Sequence, residues 1–261
     1  MPFTESDGLQ YYQFESFPPE LTQAVFTRRG GVSPSPWDTL NVGGTVGDEA
    51  ARVRENRVRS FQAVDRTLDS MFDVWQVHSA DFVLARSPRS PDENYQRADI
   101  ILTDRPEVSL YMRFADCVPI MLYDPTRAVV GIAHAGWLGT VRAAARSAVD
   151  AMVASYGTRP GDILAAIGPS IGPDHYEVGV DVIQQVTMAF GASSAGLIEQ
   201  RGDKTYLDLW AANRTQLEQA GVEHIEIAGL CTACHTDDWF SHRAEKGRTG
   251  RFGALIALPA G

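Results

Sequence analysis

The sequence predicts a layered α/β (α+β) sandwich with a mixed sheet at its core, and three observations carry that prediction. Short apolar runs recur through residues 72–133 with little more than turn residues between them. A helical apolar face follows at 140–155, and helix-like and strand-like patterns interleave from there to the C-terminus. Hydrophobic residues make up 44% of the 261, enough to fill a sizeable core. Pro and Gly are spread as turn punctuation, with no repeat, linker or low-complexity tract, so 1–261 reads as one domain.

Taken in order, residues 22–28 read as a strand entering the Gly30-Gly31 turn. Asp48 is placed to cap a helix over 49–63, because its short carboxylate accepts from the free amides of a first turn. Strands follow near 72–77, 98–102, 108–113, 118–123 and 128–133; this density, with short turns, predicts a largely mixed or antiparallel sheet. Over 140–155, Val141, Ala144, Ala145, Ala148, Val149, Met152 and Val153 keep the i, i+3, i+4 spacing of one face. Gly157 stands where that helix would be C-capped. A strand at 163–167, helices at 180–190 and 208–220, and strands at 224–229 and 253–258 complete the reading.

A net charge of −10 argues against a general nucleic-acid binder, which would show a basic face. No apolar run is long enough to cross a bilayer. The start, Met-Pro-Phe-Thr-Glu-Ser-Asp, lacks the basic and apolar regions of a secretory signal. Three cysteines, 117, 231 and 234, suit a reducing cytosol better than a disulfide framework. A cytoplasmic protein acting on a small molecule is expected, with no membrane partner; the sequence carries no signal for oligomeric state.

The chemistry is expected at Cys117 in Ala-Asp-Cys-Val-Pro, His134 in His-Ala-Gly-Trp, and His78 in Gln-Val-His. Each sits at a strand end, where a side chain can face a cleft while the strand behind it is buried. One thiolate and two imidazoles suit Zn²⁺ and leave a fourth position open. Asp116, beside the thiol, is the candidate for moving a proton. Gly136 and Gly139 permit a tight strand-to-helix turn whose free N–H groups suit an anion. Arg28, Arg29, Arg243 and Arg251 concentrate positive charge on loops of an acidic chain, which points to phosphate. Cys231-Thr-Ala-Cys234 has no second cysteine pair to complete a structural zinc site, so Cys231 is read as near the site and Cys234 as incidental.

In this order the strings resemble the multicopper polyphenol oxidase (laccase-domain, YfiH-like) family, whose members are described as purine nucleoside phosphorylases. They include Thr27–Ser33, Leu40-Asn41-Val42-Gly43, Ala98-Asp99, Ile167-Gly168-Pro169, Tyr176–Gly179, Cys231-Thr232, Phe240-Ser241 and Thr249-Gly250-Arg251 beside the three above. The resemblance implies a sandwich related to cysteine-hydrolase-like toxins, with zinc on His78, Cys117 and His134. It also implies phosphorolysis of adenosine, inosine and methylthioadenosine, with adenosine deamination beside it. Arg28, Asn41, Gly136 and Arg243 are the expected substrate-binding residues, for a purine nucleoside and phosphate. Two alternatives stay open: a copper-dependent phenol oxidase with Met112 or Met121 as axial ligand, and a cysteine hydrolase of peptidoglycan-precursor amides in which His134 activates Cys117. The chain departs from the family pattern at Leu138 and Ala244, where arginine is usual, and at His175, where cysteine is frequent. Leu138 is therefore expected to weaken phosphate binding.

Overall fold

The computed structural model describes residues 2–90 and 92–259. Its strands are β1 (Phe3–Ser6), β2 (Leu9–Tyr12), β3 (Thr22–Phe26), β4 (Met71–Phe72), β5 (Phe82–Leu84), β6 (Ile100–Thr103) and β7 (Ser109–Phe114). They continue with β8 (Val118–Asp124), β9 (Val129–Ala135), β10 (Leu164–Ile167), β11 (Ile198–Arg201), β12 (Lys204–Leu207), β13 (His224–Ile227) and β14 (Phe252–Ala257). The helices are α1 (Ala50–Gln62), α2 (Trp137–Val141), α3 (Ala144–Tyr156), α4 (Val180–Phe190) and α5 (Leu209–Gln219).

Two mixed sheets form, in the orders β1-β2-β3-β14-β7-β4 and β13-β10-β8-β9-β6-β5. Neighbours are antiparallel except the edge pairs β4/β7, β5/β6 and β10/β13. The sheets stack face to face. Val25, Leu110, Met112, Phe114 and Ile256 from the first meet Ile101, Met121, Val130 and Ile132 from the second. Alternate residues point the other way, as strand geometry requires. Ile100, Leu102, Ile120 and Leu122 cover Ala148, Val149 and Met152 of α3 and Leu217 of α5, while Phe26, Tyr111 and Leu255 pack on Phe61 of α1. Helix, sheet, sheet and helix thus form four layers. Because both faces of the central strands are buried, they read as continuous apolar runs rather than as polar–apolar alternation.

Several local expectations need correction. Asp48 does not cap α1: Glu49 is the N-cap and makes no side-chain cap bond. Asp48 instead accepts from the Ser33 hydroxyl at 2.6 Å and the Asn41 amide at 2.9 Å, tying two loops together. The strand at 72–77 shrinks to β4, because buried Asp73 turns to meet Arg89 and Arg113 at 2.8 and 2.9 Å. The helix at 140–155 is two helices, broken at Ala143, which is left-handed at φ 63°. Gln216 of α5 donates to the Thr140 carbonyl at 2.6 Å, so tertiary packing overrides the helical pattern there. Gly157 does cap α3, at φ 67°. No helix among the described residues is long and apolar enough to cross a membrane.

Candidate active site

The β8–β9 ladder places Pro119 opposite His134 and Val118 opposite Ala135, so Cys117 and Gly136 emerge side by side. His78 arrives from a separate loop, in the left-handed conformation at φ 58°. Its Nε2 lies 4.0 Å from Cys117 Sγ. The imidazole rings of His78 and His134 are 4.9 Å apart. One ligand atom from each of the three residues falls within 4.8 Å of the others. Gly136 makes room for this convergence: a Cβ there would sit 2.7 Å from Cys117 Sγ and 3.3 Å from the His78 ring. Its role is steric, and it does not line the cleft described below.

Asp99, just ahead of β6, holds the arrangement in place. It is fully buried. Its Oδ2 accepts from the amides of Val77 and Ser79 at 3.0 and 2.6 Å, the residues flanking His78. Its Oδ1 lies 2.8 Å from His134 Nδ1, which leaves Nε2 of that histidine as the ligand nitrogen. Arg142 adds a bond to the His78 carbonyl at 2.8 Å. The donor set therefore fits a zinc ion: a thiol, two imidazoles, and a carboxylate fixing one ring's tautomer.

Burial pushes the Cys117 thiol up, yet the charge and hydrogen bond of His134 and the contact with His78 outweigh it and bring it down to about 6. Burial pulls His134 down, but Cys117 and Asp99 together raise it to about 9. Without metal both shifts favour a thiolate on Cys117 and a proton on His134. Burial also pushes Asp99 up; the hydrogen bond and charge of His134 and the two amides outweigh it and hold it at about 2. A depressed carboxylate stabilises the fold above its unfolded pKa near 3.8, and that contribution fades as pH falls towards 2. In metal-free protein, Asp99→Asn is expected to cost about 2 kcal/mol at neutral pH, with the deficit shrinking between about pH 4 and pH 2. Urea unfolding of both proteins across that range checks it; a deficit independent of pH would contradict it.

The triplet opens on a cleft of about 780 Å³ lined by Arg57, Arg113, Arg243, Arg251, Trp75, Tyr95, Trp137, Tyr176, His242 and the Gly43-Gly44-Thr45 loop, among others. Trp75 and Tyr95 are exposed. Arg113 is fully engaged with Asp73, Gln76 and the Val74 carbonyl. Arg57 bonds the Val42 carbonyl through Nε and Nη2. Arg251 uses Nη1 for the carbonyls of Thr249 and Gly250, and its remaining donors meet no protein acceptor among the described residues. Gly43 makes way for it, since a Cβ there would approach the Arg251 Cγ to 2.7 Å. Asp116 also lines the cleft, held by the Thr232 hydroxyl at 2.7 Å and the Arg243 amide at 2.6 Å.

Of the expected substrate-binding residues, only Arg243 lines the cleft. Arg28 faces a different depression, bonded to the carbonyls of Asp38 and Thr236 and to Glu245, with its guanidinium over Phe240. Asn41 is fully buried, and its side chain bonds Gly43, Asp48 and the Arg251 amide. It shapes the cleft from behind. Leu138 does not line the cleft either, although its neighbour Trp137 does. Met112 and Met121 are buried between the sheets.

The sequence model of the family described as multi-copper polyphenol oxidoreductase laccase matches residues 22–259. The chain belongs to this family. Among relatives of this laccase family, a purine nucleoside phosphorylase of Deinococcus radiodurans is 40% identical over 241 residues, covering 92% of this chain and 90% of the relative. Purine nucleoside phosphorylase YlmD of Bacillus subtilis is 36% identical, covering 92% and 89%. The crystal structure of YlmD from Geobacillus stearothermophilus superposes with a TM-score of 0.92 at 33% identity, covering 99% of each chain. That of YfiH from Bacillus licheniformis gives 0.90 at 33%, covering 98% of this chain and 99% of that one.

Proposed function

We propose that this laccase-family chain is a zinc-dependent purine nucleoside phosphorylase that also deaminates adenosine. The names of its relatives support the first activity. One observation of the structure carries the reading: a single cleft gathers the His78–Cys117–His134 triplet, arginine donors and exposed aromatic faces. Its volume suits a nucleoside with phosphate.

Phosphorolysis of adenosine breaks the C1′–N9 bond, forms a C1′–O bond to phosphate, and releases adenine and ribose 1-phosphate. Arg251, with donors to spare beside the Gly43–Thr45 loop, holds the phosphate, and the rings of Trp75, Tyr95 and Tyr176 provide faces for the purine. Deamination replaces the 6-amino group by oxygen from water and releases ammonia. Asp116 is the group proposed to carry the proton, kept in place by Thr232 and the Arg243 amide. Bound by His78, Cys117 and His134, zinc supplies Lewis acidity. Adenosine incubated with phosphate is expected to yield adenine and ribose 1-phosphate, and inosine should form with or without phosphate. Chromatography that finds no phosphate-dependent adenine would refute the phosphorylase reading.

A second reading has one observation behind it. Cys117, His134 and Asp99 line up as nucleophile, base and orienting carboxylate, with the thiol lowered and His134 Nδ1 on Asp99. A cysteine hydrolase of peptidoglycan-precursor amides would keep its activity after chelation, whereas the phosphorylase would lose it.

A further inference from the structure

We propose that His175, Cys231 and Cys234 form a second metal site, distinct from the triplet, that takes Zn²⁺. Sequence spacing left the cysteines without partners, but the fold supplies one. An isolated parallel bridge between Ser170 and Cys231 brings the loop after β10 against the turn after β13. His175 Nδ1 then lies 3.8 Å from Cys231 Sγ and 3.4 Å from Cys234 Sγ, and the three ligand atoms fall within 4.8 Å of one another. In a tetrahedral site with Zn–S near 2.3 Å and Zn–N near 2.0–2.1 Å, sulfur and nitrogen ligands stand about 3.6 Å apart. The observed spacing is that of a site ready to close on an ion.

The backbone is shaped for the same task. The amides of Cys234 and His235 both donate to the Cys231 carbonyl at 3.2 Å, which makes the tight turn a C-x-x-C pair needs to direct both sulfurs to one point. The Gly172 amide donates to Cys231 Sγ at 3.2 Å, a bond that favours a thiolate. Two sulfurs and an imidazole are a borderline-soft set that selects Zn²⁺ over Mg²⁺ or Ca²⁺. On binding, each thiol gives its proton to solvent as the metal–sulfur bond forms. His175 and Cys234 are exposed, so the ion has an open approach.

The position gives the site a role. Thr232, between the cysteines, holds Asp116 through its hydroxyl, and Tyr176, next to His175, lines the cleft. Metal here clasps two loops that form one wall of the proposed active site without touching the substrate.

The chain has three cysteines, so once Cys117 is replaced any thiolate-to-metal absorption belongs to Cys231 and Cys234. Co²⁺ titrated into reduced, full-length Cys117→Ala protein is expected to give a near-ultraviolet charge-transfer band that saturates at one equivalent and is displaced by Zn²⁺. Adding Cys234→Ser should abolish the saturating band, and adding His175→Ala should weaken Co²⁺ affinity at least tenfold. In the otherwise wild-type chain, Cys234→Ser should lower zinc content after equilibrium dialysis by one per chain, a readout that does not depend on the Cys117 variant folding. No band in Cys117→Ala protein, an affinity indifferent to His175→Ala, or zinc content unchanged by Cys234→Ser would overturn the proposal. None of these readings involves nucleoside turnover, so they stand or fall apart from the proposed activity.

Discussion

Cys117→Ala is expected to empty the metal position of the cleft and to lower adenosine phosphorolysis and deamination by on the order of 10³-fold or more. Cys117 supplies the only thiol among the three converging ligands, and two imidazoles alone hold zinc far more weakly. The loss should not come from unfolding. The side chain is half-buried at a strand end, at the margin of the apolar layer between the sheets, and alanine removes a single sulfur. Zinc content and kcat/KM measured on the same preparation check the expectation, with thermal unfolding as the control. Retention of both metal and turnover would mean that the triplet is not the site.

Arg251→Ala is expected to raise the KM for phosphate roughly 10- to 100-fold, the loss of one charge-assisted hydrogen bond of about 1.5–3 kcal/mol. Adenosine deamination needs no phosphate and should change little. All three guanidinium nitrogens of the neighbouring Arg113 bond Gln76, Asp73 and Val74, whereas Arg251 uses only Nη1 within the protein; Arg243, which also bonds only through Nη1, to the Glu177 carbonyl, lies over the Tyr176 ring. Its position is set by its main chain, since its amide bonds Asn41 and its carbonyl accepts from Val42. Truncating the side chain leaves those bonds in place. Steady-state kinetics with phosphate varied, alongside deamination without phosphate, separates the outcomes. A parallel fall in both reactions would assign Arg251 a structural role and move the phosphate elsewhere in the cleft.

Two of the three converging residues, Cys117 and His134, were legible because strand ends carry them, whereas His78 sits on a loop beyond a strand that ends at Phe72. Ala-Asp-Cys and His-Ala-Gly-Trp bracket the β8–β9 hairpin, and hairpin pairing brings residues at its open end together whatever the rest of the fold does. The arginines were legible as a class but not as individuals. Arg28 and Arg251 look alike in sequence, and only the fold shows that Arg28 is consumed by Asp38, Thr236 and Glu245 while Arg251 faces the cleft. Asn41 misleads in the same way: a buried amide that organises a loop resembles one that binds a ligand. His175 joins the cysteine pair across more than fifty residues of sequence, a contact that no local spacing encodes. The β1–β2 hairpin, by contrast, carried a readable signal, Asp7-Gly8 with both residues at positive φ. The break at Ala143 had no local signal, since it answers to Gln216 on another helix.

The most direct test of the central claim is an anomalous difference map at the zinc absorption edge, from crystals of protein active in adenosine phosphorolysis and purified without added metal. A peak is expected between His78 Nε2, Cys117 Sγ and His134 Nε2, at about 2.0–2.1 Å from the nitrogens and about 2.3 Å from the sulfur. Active protein with no anomalous peak among those three side chains would contradict it.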